Sequence, residues 1–150
     1  MIIKTGSDKP VGLLLVEDNP GDVDLTREAL EQSGMRYSLN VVGDGTAAML
    51  FLRREGEFAR APRPDVILLD LTLPKKSGRD VLDEIKADVA LKQIPVIILT
   101  VSRSGEDMIR SYISSAYSYV TKPAGPDQFP RVIAAIEAAL CGRPPEGAIP

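Results

Sequence analysis

The feature that most constrains this chain is a series of five short apolar runs, each separated from the next by a stretch with helical spacing. The runs fall at about residues 12–16, 38–42, 65–69, 94–99 and 118–120. Several are unbroken rather than alternating, which is the mark of strands buried on both faces. Between them apolar residues recur at helical intervals: Val23, Leu25, Ala29 and Leu30, then Ala47, Leu50, Phe51 and Leu52, then Val81, Leu82 and Ile85. A fourth helix is expected over 104–114 on the weaker pattern of Met108, Ile109, Tyr112 and Ile113. A fifth, over 126–140, carries Phe129, Val132, Ile133, Ile136 and Leu140. Strands that alternate with helices predict a doubly wound α/β fold, a parallel five-stranded sheet covered on both sides.

Local signals place the ends of these elements. Asn19 or Asp18 is suited to cap the first helix, with Pro20 in its first turn and Gly34 near its end. The Gly43-Asp44-Gly45 turn opens the second helix and Gly78 the third. Residues 55–64 form a polar link with two prolines, longer than usual before a strand. The expected organisation is a loose lead-in over 1–10, one domain over 11–141 and a proline-rich tail over 142–150.

Composition removes several function classes. At 150 residues the chain suits one core. A net charge of −3 argues against binding a nucleic-acid backbone. No apolar run reaches the roughly 18 residues needed to span a bilayer. No signal-peptide core is present, and the single cysteine, Cys141, has no internal partner, so a cytoplasmic setting is expected. Histidine is absent, which excludes Ser-His-Asp and Cys-His catalysis and His-ligated zinc.

Charged residues mark the C-terminal ends of the strands. Glu17 and Asp18 follow the first, Asp70 the third, and Lys122 follows Tyr119-Val120-Thr121 of the fifth. Thr100 ends the fourth. Singly, each reads as an ordinary loop or turn residue. Jointly, they gather at the sheet edge where open α/β folds bind ligands. Clustered carboxylates repel one another unless a cation joins them, and Mg²⁺ suits oxygen ligands. A carboxylate beside Mg²⁺ and a lysine is a charge-balanced nucleophile for a phosphoryl group.

With these residues in place the chain resembles the receiver domains of two-component response regulators. The match rests on Glu17-Asp18, Asp70, Leu73-Pro74 with Gly78, Thr100, and Lys122-Pro123. The resemblance implies a (βα)₅ flavodoxin-like fold with strand order 2-1-3-4-5. It implies Asp70 as phosphoacceptor and Asp18, Asp70 and the Thr72 backbone carbonyl as Mg²⁺ ligands, with Glu17 acting largely through water. It implies Lys122 as partner of the phosphoryl group, Thr100 as switch hydroxyl and Tyr119 as the aromatic that turns with it. Asn19-Pro20-Gly21-Asp22, the link through Gly56-Glu57-Phe58 and Pro62-Arg63-Pro64, and Leu73-Pro74-Lys75-Lys76 are similar to single-domain regulators paired with phytochrome-type histidine kinases.

The expected function is a stand-alone receiver that takes a phosphoryl group from a sensor histidine kinase. It would then switch its own surface, since only ten residues follow Leu140. The resemblance also implies a homodimer through the fourth helix, fifth strand and fifth helix, with the tail reaching across. Two alternatives stand beside this reading. A Mg²⁺-dependent aspartyl-phosphate phosphatase usually has a second Asp where this chain has Thr72, so this chain lacks the general acid that reaction needs. A pseudo-receiver that binds without phosphorylation has no need of Glu17, Asp18, Asp70, Thr100 and Lys122 together. A dinucleotide site is disfavoured because no Gly-x-Gly-x-x-Gly follows the first strand.

Overall fold

The computed structural model describes residues 10–70, 73, 75–100, 118–121 and 129–141. At 100, 118–121, 129–131 and 141 it describes the backbone alone. Five strands are present: β1 (Val11–Val16), β2 (Tyr37–Val42), β3 (Val66–Asp70), β4 (Val96–Thr100) and β5 (Ser118–Thr121). They pair in parallel in the order β2-β1-β3-β4-β5, the order the resemblance implies. The helices are α1 (Pro20–Ser33), α2 (Gly45–Arg53), α3 (Gly78–Ala87) and a C-terminal helix (Phe129–Cys141). The helix expected over 104–114, residues 1–9 of the lead-in and the tail over 142–150 lie outside the described residues.

The strands are apolar on both faces because each face has its own helical layer. Leu14, Val16, Ile67, Leu69, Val96 and Ile98 belong to one core with Met49 and Leu52 of α2 and Val81, Leu82 and Ile85 of α3. Leu13, Leu15, Val66, Leu68, Ile97 and Leu99 belong to the other, with Leu30 of α1 and Val132 and Ile136 of the C-terminal helix. Full burial of each such side chain stabilises by about 1.5–3 kcal/mol before entropy is subtracted.

The caps follow the sequence signals. Asn19 accepts from the Asp22 amide at 3.1 Å, Pro20 sits in the first turn, and Gly34 ends α1 with φ 78°, a left-handed conformation that costs glycine little. Asp44 caps α2 by accepting from the Ala47 amide at 2.7 Å, and Ser77 caps α3 through the Asp80 amide at 3.2 Å.

Several boundaries differ from expectation by one to three residues, the last helix running Phe129–Cys141 rather than 126–140, and two of the differences have local reasons. β3 runs Val66–Asp70 rather than 65–69: the Asp65 amide donates to the Gly12 carbonyl and the Asp65 carboxylate accepts from the Gly12 amide, both at 2.7 Å. β4 begins at Val96, not Ile94, because the Ile94 amide closes a turn onto the Leu91 carbonyl and Pro95 has no N–H. The link over 55–64, expected as a polar connection without regular structure, contains a 3₁₀ turn, Gly56–Phe58. There Phe58 packs on Phe51 with ring centroids 5.5 Å apart. Among the described residues no helix is long and apolar enough to cross a membrane.

Candidate functional site

Strand register assembles the site. β1 and β3 pair Val16 with Leu69, so the next residues, Glu17 and Asp70, stand level on adjacent strands. β3 and β4 pair Asp70 with Leu99, which sets Thr100 one step further along. β4 and β5 pair Thr100 with Thr121, so β5 ends at the same edge.

The carboxylates converge as the sequence pattern required. Glu17, Asp18 and Asp70 each offer an oxygen, and these oxygens lie within 4.8 Å of one another. Glu17 and Asp70 are buried, at 3% and 4% exposure, while Asp18 is exposed. Glu17 Oε2 accepts from the Asn19 amide at 3.2 Å, which ties that carboxylate to the start of α1. Three carboxylates this close, two of them out of water, are a costly arrangement without a positive partner. A hard divalent cation with oxygen ligands fits this donor set, and soft thiolate-seeking metals do not.

The other expected site residues are less fully placed. Thr100 ends β4 and Tyr119 lies in β5 opposite Ile98, each by its backbone position. Thr72 and Lys122 lie outside the described residues. A cavity of about 700 Å³ opens at the opposite end of the sheet, around Pro10, Gly12, Pro64 and Pro95. Two charged groups in its wall are already engaged, Asp65 with the Gly12 amide and Arg63 with the Ala90 carbonyl.

Lys75 and Asp44 form an ion pair that no sequence motif marks. Lys75 holds φ 65° and pairs with Asp44 at 3.6 Å. A lysine directly after Leu73-Pro74 was the available signal, but its partner lies in a different helix cap.

Sheet order, register and carboxylate edge together describe a phosphoryl-accepting signalling module. Residues 13–134 match the response regulator receiver domain, and the chain belongs to that family. Response regulator Rcp1 of Synechocystis sp. is 44% identical over 132 residues, covering 88% of this chain and 90% of Rcp1. The crystal structure of the phosphorylated cyanobacterial phytochrome response regulator RcpA is similar with a TM-score of 0.77 and 45% identity, covering 89% of this chain and 95% of that one. The Mn²⁺-bound form of Rcp1 is similar with a TM-score of 0.75 and 44% identity, covering 86% of this chain and 93% of that one.

Proposed function

We propose that the chain is a stand-alone receiver, with its domain over 11–141, in which Asp70 accepts a phosphoryl group from a sensor histidine kinase. The observation that carries this reading is the convergence of Glu17, Asp18 and Asp70 at the C-terminal edge of the sheet. An Asp70 carboxylate oxygen attacks phosphorus. A P–O bond forms as the P–N bond to the donor imidazole breaks, and the imidazole leaves with its electron pair. Asp18, Asp70 and the Thr72 carbonyl would hold a Mg²⁺, with Glu17 assisting through water. When bound, the cation neutralises the phosphoryl oxygens. Lys122 pairs with the same group, and Thr100 donates its hydroxyl to it. Tyr119 turns inward with Thr100 and alters the surface that partners read. Water returns Asp70 to its free state by hydrolysing the acyl phosphate. Divalent-cation binding by this donor set is supported by the Mn²⁺-bound form of Rcp1.

The kinase partner in this reading is of the phytochrome type, in the cytoplasm, supported by the likeness to the phytochrome response regulator RcpA. The same reading includes a homodimer through the fourth helix, fifth strand, last helix and C-terminal tail, supported by half-buried Ile133 and Leu140 of the last helix. Light scattering with and without beryllofluoride tests it, and a monomer in both states removes the dimer.

The deciding experiment is intact mass after incubation with acetyl phosphate and Mg²⁺. One added phosphoryl group, absent in Asp70→Asn and with EDTA, is the expected result. An unlabelled wild-type chain that also fails to bind beryllofluoride supports a phosphorylation-independent binding module instead.

A further inference from the structure

The link from β3 to α3 is fastened at several points. Gly45, the first residue of α2, lies so close to Lys76 that a Cβ there would run into the Lys76 carbonyl oxygen and stand 2.7 Å from the Lys76 Cβ. Asp44, while capping α2, also pairs with Lys75 Nζ at 3.6 Å. Lys76 pairs with Glu84 of α3, and Glu84 with Arg53 of α2 at 3.4 Å. Lys75 keeps its left-handed φ of 65°, a conformation that persists only where the surroundings impose it. Each surface ion pair contributes little alone. Here the pairs close a circuit from the N-terminus of α2, through the link, to α3 and back to the far end of α2.

We propose that Gly45, Asp44, Lys76 and Glu84 form a latch that positions the β3–α3 link and, through it, the cation site that begins at Asp70. The proposal rests on the reading of Asp18 and Asp70 as cation ligands. Asp70 is the last residue of β3, and the fastened residues Lys75 and Lys76 follow it within six positions of the sequence. A coordination site tolerates little displacement, so groups that hold its backbone tune its affinity without touching the cation. These are positioning residues, and their loss lowers cation affinity and phosphoryl uptake while the core stays folded.

The test compares wild type with Gly45→Ala, Asp44→Asn, Lys76→Met and Lys76→Arg. Mn²⁺ binding is read by electron paramagnetic resonance and labelling rate with acetyl phosphate. Alanine is the better helix former at 45, so α2 is preserved and the link must give way. Asparagine keeps the cap and removes the charge facing Lys75. Gly45→Ala is expected to lose roughly tenfold in Mn²⁺ affinity, in the range of other outer-shell changes. Asp44→Asn and Lys76→Met lose less, Lys76→Arg restores wild-type behaviour, and cation-free melting changes little in all four. Wild-type affinity in every folded variant overturns the latch and leaves the site standing. Should Gly45→Ala fail to fold, Asp44→Asn and Lys76→Met decide. A wild-type chain that binds no Mn²⁺ overturns both the site and the latch.

Discussion

Glu17 and Asp70 stand level at the ends of adjacent strands, both buried, with carboxylate oxygens inside a group no more than 4.8 Å across. Two unit charges 4 Å apart repel by about 1 kcal/mol in water and by about 4 kcal/mol at the effective dielectric near a protein surface. With Asp18 beside them, the cation-free edge holds repulsion that neutralising one charge relieves.

Asp70→Asn is therefore expected to stabilise the cation-free protein while abolishing phosphorylation. The gain is of the order of 1 kcal/mol, several degrees in melting temperature for a domain this size. Calorimetry in EDTA measures the first effect and intact mass after acetyl phosphate the second. A destabilised but still labelled variant would move the acceptor elsewhere.

Saturating Mg²⁺ should raise wild-type stability by linkage, by about 2.7 kcal/mol when the free ion is a hundredfold above its dissociation constant. Asp18→Ala and Asp70→Asn should each lose most of that gain. Thermal melts across a Mg²⁺ titration give the comparison, and an equal gain in all three proteins would count against the assigned ligands.

Lys75→Gly separates stability from affinity. Removing the Cβ at φ 65° relieves about 1 kcal/mol of backbone strain, and the lost pair with Asp44, a largely exposed lysine, offsets less than that. Urea titration should show equal or greater stability. Mn²⁺ affinity should fall, because one fastening of the link is gone.

Lys86, in the last turn of α3, is half-buried and donates to the Lys92 carbonyl at 3.3 Å. Burial holds its pKa below the ordinary 10.5. The unfolded chain therefore binds more protons between the folded value and 10.5, and stability contributed by this group rises with pH across that window. Below the folded value the cost of burying the charge is present in full. Urea titrations of wild type and Lys86→Met from neutral pH to about pH 10 should show a steeper upward slope in wild type.

The fold was legible because Leu13–Leu14–Leu15 and Ile67–Leu68–Leu69 are short runs apolar at consecutive positions, which a sheet covered on both faces accommodates, and helical stretches separate them. The carboxylates were legible for the same reason: each follows such a run, so parallel pairing brings Glu17 and Asp70 level. Strand ends were less so. Asp65 looks like the start of a strand, yet its carboxylate serves the Gly12 amide. The latch left no trace in periodicity. Its contacts join residue 45 to 76 and 76 to 84, and a glycine in a turn gives no hint that a carbonyl from another loop fills its missing side chain.

The β1–β3 ladder also has a consequence for misfolding. Side chains alternate across a strand, so slipping β1 by one residue against β3 exchanges the two faces. Leu13 and Leu15 would trade layers with Leu14 and Val16, and Glu17 would leave the level of Asp70 in the same movement. A one-residue slip cannot misplace the acidic pair without also inverting the core, because one set of backbone hydrogen bonds fixes both. Misalignment by one residue is therefore never a silent loss of chemistry: it exposes apolar surface and meets cellular quality control as a defect in folding.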